Sequence, residues 1–265
     1  MDLIINFTET EWQCAVSENG RLIRYLKINP DIHVGDIITG RVVKKSPLPG
    51  SFFFEYMKGK TGLLIKASRC KVGDKICAKM VRCDDGAFKS AKFIPADGDV
   101  QSSALFAIKK RNPFIDIIAE HGITQIICNP SPSVGLLPMK PQLTNTPFDR
   151  VLKEEISGLS NPVVTLSDGS RVIIEKTAAF TVIDVDSGAS CATSDIINVN
   201  AAREIMRQII LREIYGIIII DFIGHSFHKN LKNALECIKN NRGTVKLISV
   251  TRLNLVELIR ERRYD

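Results

Sequence analysis

The last third of the chain carries a strand, a long helix and a second strand in succession, and this order restricts the fold more than any other feature. Residues 181–188 read TVIDVDSG, residues 200–216 read NAAREIMRQIILREIYG, and residues 217–224 read IIIIDFIG. A helix of that length serves as a crossover connection, which makes its flanking strands parallel neighbours. A helical stretch at 228–240 and the strand VKLISV at 245–250 continue the alternation. We therefore predict an α/β layer with a largely covered sheet.

The residues before this layer predict two further units. Residues 3–27 alternate between apolar and polar side chains around Glu18-Asn19-Gly20, which indicates a hairpin that opens a sheet. Short strand-like runs with turn residues between them fill residues 35–94, the pattern of a small barrel. A polar stretch at 95–107 indicates a domain crossing, after which PFIDIIAEHG predicts a helix, ITQIICN a strand and FDRVLKEEIS a helix.

Composition indicates the kind of partner and the cellular compartment to expect for this protein. Lys and Arg total 36 against 29 Asp and Glu, so the net charge of +7 favours a polyanionic partner. The seven cysteines are scattered and never spaced as CxxC, so we expect reduced thiols, no zinc and a cytoplasmic location. The apolar run Ile217 to Ile220 is far too short for a membrane span, so no membrane anchor is expected.

Three aspartates form the main chemical feature. Asp184 and Asp186 lie two apart in one predicted strand and hence on one face, and Asp221 ends the next strand. If the strands are parallel neighbours, Asp184 and Asp221 meet at their carboxyl ends, where open α/β sheets bind ligands. An oxygen-only cluster suits Mg²⁺ or Mn²⁺. Aspartates more often bond to loop amides or cap helices, and the pattern alone favours those structural roles.

The longer strings resemble a known family. TVIDVDSG, NVNAAREIMRQIILREIYGIIIIDFIG and VTRLNLVELIRER resemble the DNase I-like catalytic subdomain of the ribonuclease E/G family in sequence, order and spacing. LIINFTETEWQCAVSENGRLIRYL resembles the amino-terminal strands of that family, and GDIITGRVVKKSPLPGSFFFEYMKGKTGLLI resembles its S1 domain, an OB-fold RNA binder. The resemblance implies an α/β protein of several subdomains: a split RNase H-like subdomain (1–34 and 95–157), an inserted S1 barrel (35–94) and a DNase I-like catalytic subdomain (158–265).

The resemblance also implies an activity. In the family, the aspartates that match Asp184 and Asp221 hold Mg²⁺, which activates water for attack on a phosphodiester of single-stranded RNA and leaves a 5′-phosphate and a 3′-hydroxyl. Asp186 stands where the family has an Asn that helps to orient the scissile phosphate. The expected function is therefore an endoribonuclease of rRNA processing or mRNA turnover, with Asp184, Asp186 and Asp221 as catalytic residues.

Expected RNA-binding residues lie on the barrel and on the crossover helix. By resemblance, Phe53 and Tyr56 match RNA-facing aromatic positions of the S1 domain, although Phe53 is as well explained by core packing. Basic residues expected along a phosphate path are Lys44, Lys45, Lys58 and Lys60 on the barrel and Arg203 and Arg207 on the helix. The alternatives are a solvated surface for the lysines and ion pairs with nearby acids for the arginines.

Departures from the family pattern keep other functions open. Ala178 and Asn200 each stand where the family has Glu, and Asp186 replaces Asn. Either catalysis persists with altered surroundings of the site, or the protein is a degenerate RNA-binding relative; a DNA nuclease is a third alternative. The 5′-sensor insertion and the zinc-binding CPxC of the family have no match here, so zinc-dependent assembly is not expected and a homodimer is left open.

Overall fold

The computed structural model describes residues 1–84, 89–100, 104–224, 231–240 and 244–261. Its first element is an antiparallel meander of β1 (Asp2–Phe7), β2 (Trp12–Glu18) and β3 (Arg21–Ile28). Asn19 and Gly20 join β2 to β3 with positive φ values of 51° and 75°. Two successive positive φ values are what a tight two-residue hairpin turn requires. The predicted hairpin is therefore confirmed.

The next unit is a closed five-stranded barrel, as predicted. Its strands are β4 (Ile37–Lys45), β5 (Phe52–Met57), β6 (Lys60–Leu64), β7 (Lys75–Arg82) and β8 (Lys92–Pro95). They pair in the order β5-β6-β8-β7-β4, and β4 also pairs with β5, which closes the ring. A short strand, β9 (Ile108–Lys109), pairs with β4, so the barrel sheet extends beyond residue 94.

Aromatic rings fill the barrel and set how closely its strands approach. Phe54 and Phe93 are fully buried with ring centroids 5.1 Å apart. A Cβ on Gly40 would lie 2.5 Å from the Phe54 ring and 2.3 Å from the Glu55 carbonyl oxygen. Only a residue without a side chain fits on β4 at this point.

The first sheet is completed by residues that follow the barrel. The chain runs through α1 (Pro113–His121), β10 (Gln125–Cys128), a 3-10 turn (Pro132–Leu136), β11 (Gln142–Leu143) and α2 (Arg150–Gly158). β10 pairs in parallel with β1, and β11 pairs in parallel with β10, giving the order β11-β10-β1-β2-β3. One sheet thus combines strands from both sides of the barrel.

The last unit is a six-stranded sheet with two helices. Its elements are β12 (Val163–Thr165), β13 (Arg171–Lys176), β14 (Thr181–Asp186), α3 (Ser194–Leu211), β15 (Gly216–Asp221), α4 (Lys232–Lys239), β16 (Val245–Val250) and β17 (Val256–Arg260). The first residues of the helix predicted at 228–240, 228–230, lie outside the described residues. The strand order is β12-β13-β14-β15-β17-β16, in which β14 and β15 are parallel and the other neighbours antiparallel. The last strand, β17, therefore lies between β15 and β16.

Only one face of this sheet is covered by helices in the described chain. The buried strand residues, such as Ile183 and Ile218, share one core with Ile205 of α3 and Ile238 of α4. The opposite face is open: Ile217 is 50% exposed and carries no helix over it among the described residues. The expectation of a largely covered sheet is therefore wrong. Both helices pack on the same side of the sheet. Strand side chains that point to the other side therefore have no helix over them in the described chain.

Helix α3 also packs on the first sheet, so it separates the two sheets. Leu211 at its end shares a core with Ile4 and Leu22 of the first sheet and with Leu152 of α2. Arg24 of β3 adds an ionic link across this junction, with Nε 2.9 Å from Glu213 and Nη1 2.8 Å from Glu120. None of the helices in the described part of the chain is long and apolar enough to cross a membrane.

Candidate carboxylate site and nucleic-acid interface

Asp184 and Asp221 lie side by side on the open face of the six-stranded sheet. β14 and β15 are parallel, and Asp184 is the register partner of Asp221. Helix α3 is the crossover between the two strands, as predicted from its length. Both aspartates are exposed, while their neighbours Ile183 and Ile220 are fully buried against the helices. The predicted meeting of these two carboxylates is confirmed.

The electrostatics of the pair favour a cation. The pKa of Asp184 is raised, first by partial burial and then by repulsion from the carboxylates of Asp221 and Asp186. Two carboxylates at neighbouring strand positions repel each other unless a proton or a cation lies between them. In the described part of the chain, no group of three or more His, Cys, Asp or Glu side chains is arranged to hold a metal ion. The donor set is thus a pair of oxygen ligands, which fits Mg²⁺ because this ion keeps several waters when bound by one or two carboxylates.

Asp186 has a different environment, which the sequence did not reveal. It shares the face of Asp184, as alternation predicts, but its register partner on β13 is Arg171. Arg171 Nη2 donates to Asp186 Oδ1 at 3.0 Å, and the Gly188 backbone N–H donates to the same oxygen at 2.5 Å. These two hydrogen bonds lower the pKa of Asp186. The TLSDGSR turn signals only the hairpin of β12 and β13, so the pairing of Arg171 with Asp186 depends on the register of β13 with β14.

The loop after Asp186 is held by the turn that precedes β13. Gly188 has φ +52°, and a Cβ there would lie 2.4 Å from the Gly169 carbonyl oxygen. The Ala189 N–H donates to that carbonyl oxygen at 3.1 Å. The turn itself is fixed by Asp168, which accepts hydrogen bonds from Ser170 and from Asn200 Nδ2 at 3.2 Å. Asn200 therefore ties α3 to the turn that supports the loop.

Ala178 lies away from the carboxylates. It is in the exposed turn between β13 and β14, at the amino end of β14, whereas Asp184 and Asp186 lie toward its carboxyl end. The absence of a Glu at this position therefore leaves the surroundings of the carboxylate pair unchanged.

On the barrel, one cross-strand row combines a cation with an aromatic ring. Phe53 is the register partner of Lys44 on β4 and of Leu63 on β6, and Leu63 is in turn the partner of Lys92 on β8. Register partners on neighbouring strands project from the same face. Lys44 is exposed and Phe53 half-buried on the outer surface. Lys92 belongs to this row although sequence reasoning did not select it.

Tyr56 does not belong to this surface. It is 5% exposed and packs in the barrel core with its ring centroid 5.0 Å from that of Phe93. Residues three apart in a strand face opposite sides, so Tyr56 points inward with Phe52 and Phe54 when Phe53 points outward. The predicted surface position of Tyr56 is wrong, whereas Phe52 and Phe54 are core residues as predicted.

The other basic residues that were predicted to bind RNA lie in two parts of the molecule. Lys45, Lys58 and Lys60 are exposed on the barrel, the latter two around the β5–β6 turn. Arg203 and Arg207 lie on α3, which covers the face of the sheet opposite to the aspartates. Arg207 pairs with Glu204 at 3.0 Å and with Glu155 at 3.5 Å, the ion-pair alternative for this residue.

A large cleft in the described part of the chain does not coincide with the carboxylates. It measures ≈ 870 Å³ and lies at the junction of the barrel and the two sheets, lined by Arg24, His33 and Arg260 among others. Arg24 and Arg260 both contact Glu213, so their charges are already partly neutralised. We place the candidate chemistry at the exposed carboxylates rather than in this cleft.

Fold and site together define an α/β protein that joins an OB-like barrel to a sheet with two neighbouring exposed carboxylates, Asp184 and Asp221. A sequence model described as the Ribonuclease E/G family matches residues 142–263. This segment of the chain, which contains both aspartates and the whole six-stranded sheet, is therefore similar to that family.

Curated proteins with similar sequences carry the same family name. Ribonuclease E of Synechocystis sp. is 42% identical over 112 residues, which is 38% of this chain and 17% of that protein. Ribonuclease E/G-like protein, chloroplastic, of Arabidopsis thaliana is 37% identical over 123 residues, covering 42% of this chain and 12% of the relative. Ribonuclease E of Escherichia coli is 31% identical over 121 residues, with shares of 42% and 11%. The chain thus aligns with less than a fifth of the length of each of these three relatives.

Proposed function

We propose that the protein is an endoribonuclease that hydrolyses phosphodiester bonds of single-stranded RNA with a divalent cation. One observation carries the proposal: Asp184 and Asp221 are register partners on parallel strands, exposed on an open sheet face, within the segment that matches the family. Relatives with sequences similar to part of this chain are named ribonucleases. A role in rRNA processing or mRNA turnover is part of this proposal.

Asp184 and Asp221 are the residues that would hold Mg²⁺, with Mn²⁺ as the alternative ion. Bound there, such an ion supplies Lewis-acid charge that stabilises the negative charge developing at a phosphate. The two aspartates act as paired anionic oxygen ligands, and the pKa of Asp184 is raised by partial burial and by the repulsion that a cation would relieve. The open face leaves room for an extended polynucleotide beside them, since no helix covers it in the described residues.

The barrel would hold the RNA chain. Phe53 offers an accessible ring on which a base can stack, an interaction worth about 1 to 3 kcal/mol per base. Lys44 stands next to Phe53 in register, and Lys58 and Lys60 are exposed on the adjacent turn, so phosphates can be neutralised along the same surface. The half-buried state of Phe53 leaves part of its ring for packing.

The subdomain arrangement belongs to the same proposal. We assign residues 1–34 and 95–157 to an RNase H-like subdomain, 35–94 to an S1 barrel and 158–265 to a DNase I-like subdomain. Support comes from the shared first sheet, the closed barrel and the separate six-stranded sheet. Strand β9 at residues 108–109 still pairs with the barrel, so the chain leaves the barrel later than residue 94.

The deciding experiment incubates the purified chain with an A/U-rich single-stranded RNA in Mg²⁺, in Mn²⁺ and in EDTA, beside a DNA of the same base order. The proposal expects cleavage of RNA only with a divalent ion, leaving 5′-phosphate and 3′-hydroxyl ends. RNA binding without cleavage under any ion would establish the alternative, a catalytically degenerate RNA-binding protein, for which the extra carboxylate of Asp186 is the structural argument. Equal cleavage of the DNA would make the protein a general nuclease.

A further inference from the structure

The ion pair of Arg171 and Asp186 changes the charge of the sheet surface around Asp184 and Asp221. Without Arg171, three aspartates would project from two neighbouring strands on one face. Arg171 Nη2 lies 3.0 Å from Asp186 Oδ1, so the third carboxylate is neutralised locally and two remain. The open sheet face then carries the carboxylates of Asp184 and Asp221, with the guanidinium of Arg171 on the neighbouring strand β13.

This cation lies within reach of a phosphate held at the aspartates. The register partner of Asp184 on β13 is Ile173, and Arg171 is two residues before it on the same face. Two residues along a strand span roughly 7 Å and neighbouring strands lie about 4.8 Å apart. A long arginine side chain covers such a separation, and successive phosphates of an extended nucleic-acid strand can therefore contact the aspartate row and Arg171 together.

The pair is exposed enough to exchange partners. The side chains of Arg171 and Asp186 are 46% and 40% exposed, and ion pairs at that exposure contribute little to stability. Within the described residues, Nε and Nη1 of Arg171 have no hydrogen-bond partner. Asp186 keeps the Gly188 N–H when the guanidinium moves. An arginine fork with free donors beside a carboxylate is suited to bind a phosphate oxygen in its place.

We propose that Arg171 is a phosphate-binding residue of the carboxylate site, which neutralises Asp186 in the free protein and contacts a backbone phosphate of the bound nucleic acid. This role rests on the proposed function, because it assigns a substrate contact to the same site. It predicts that Asp186 is tolerated beside Asp184 and Asp221 only while Arg171 is present.

The test measures binding of a fluorescein-labelled A/U-rich single-stranded RNA in EDTA, where no cleavage occurs, across a series of KCl concentrations. Arg171→Ala is compared with Arg150→Ala, which removes the same charge from another exposed ion pair, with Glu154 on α2. Removing one cation that neutralises a phosphate of a single strand makes the slope of log K against log salt shallower by about 0.7. We expect this change, with an affinity about threefold to tenfold weaker, in Arg171→Ala but not in Arg150→Ala.

A double-mutant cycle adds Asp186→Asn. Because Arg171→Ala leaves an uncompensated carboxylate, Asp186→Asn is expected to restore part of the affinity in the double variant, while the salt slope stays shallow. Thermal unfolding of each variant checks that the fold is retained.

The outcomes separate the two proposals. Equal salt slopes for Arg171→Ala and Arg150→Ala, in a parent protein that binds and cleaves RNA, would overturn the role of Arg171 and leave the nuclease intact. If the parent binds RNA without cleaving it, hydrolysis is rejected while the slopes still decide on Arg171. A parent that does not bind RNA overturns both.

Discussion

The barrel and the six-stranded sheet both expose candidate residues on a strand surface, but they assemble them differently. In the sheet, Asp184 and Asp221 come from strands joined by a long helix, and the crossover places equivalent strand ends side by side. In the barrel, Lys44 and Phe53 come from an antiparallel pair whose register shifts by a bulge between Val42 and Lys44. A bulge changes which residues face each other. Residues that meet at the ends of parallel strands can thus be predicted from their spacing in the sequence. The residues that meet on a barrel surface depend on the register of the paired strands.

The same contrast separates chemistry from binding. The sheet carries Asp184 and Asp221, which would hold a cation. The barrel carries the ring of Phe53 and exposed lysines, which would hold the RNA. If this division is correct, substitutions in the two regions affect different measurements.

The largest effect is expected from removing one carboxylate of the pair. Asp184→Asn and Asp221→Asn should each lower the cleavage rate about a thousandfold, equivalent to ~4 kcal/mol of activation free energy, because stabilisation by the cation is removed. RNA affinity in EDTA should be no weaker than that of the parent, because each substitution removes a carboxylate that repels phosphate. Asp97→Asn, at an exposed aspartate near the barrel, is the matched control. Cleavage rates within tenfold of the parent for both variants would contradict the division.

The next effect tests the interior of the barrel. Tyr56→Ala removes a ring that is packed beside Phe93, and we expect a decrease of about 3 to 5 kcal/mol in the free energy of unfolding, measured by urea titration. The protein that remains folded should bind RNA as the parent does. A stable Tyr56→Ala variant with weakened RNA binding would return Tyr56 to the surface role that its burial argues against.

Phe53→Ala is the matched variant on the outer face and should show the converse. Removing one stacking ring is expected to weaken RNA binding by about 1 to 3 kcal/mol, while the free energy of unfolding changes less than in Tyr56→Ala. Gel-shift titration together with circular dichroism separates the two quantities. Unchanged affinity in a folded variant would assign Phe53 to packing and leave the lysines as the binding residues.

The smallest effect concerns the 5′ end of the RNA, where no preference is expected. Lys110 Nζ lies 3.4 Å from Asp36, and Arg111 Nη2 lies 2.7 Å from Asp116, so two of the three cations at residues 109–111 have acidic partners. One RNA with a 5′-monophosphate, with a 5′-hydroxyl and as a circle should be cleaved at similar rates. A clear preference for the monophosphate in side-by-side kinetics would reveal a phosphate pocket elsewhere.

Much of the secondary structure follows from local signals in the chain. The Asn19-Gly20 turn, the short alternating runs of the barrel and the strand–helix–strand order near the carboxyl end all encode their elements in adjacent residues. The residues of the carboxylate pair were predictable for the same reason. Two strands that each end in aspartate, with a crossover helix between them, leave few other arrangements.

Other features depend on which distant strands pair. The insertion of β17 between β15 and β16, the open face of the sheet and the completion of the first sheet by β10 arise from long-range pairings that no local pattern specifies. The surface placement of Tyr56 rests on resemblance and runs against strand alternation, whereas the observed core packing beside Phe93 follows the alternation.

The sequence by itself determined that Asp184 and Asp221 meet, because strand periodicity and crossover geometry act over short stretches of chain. The tertiary structure decided that Asp186 is paired with Arg171 and that Asn200 reaches Asp168, since both interactions depend on the β13–β14 register and on the packing of α3. Register is fixed by the buried residues of the whole sheet, whose burial favours one alignment of the strands over all others.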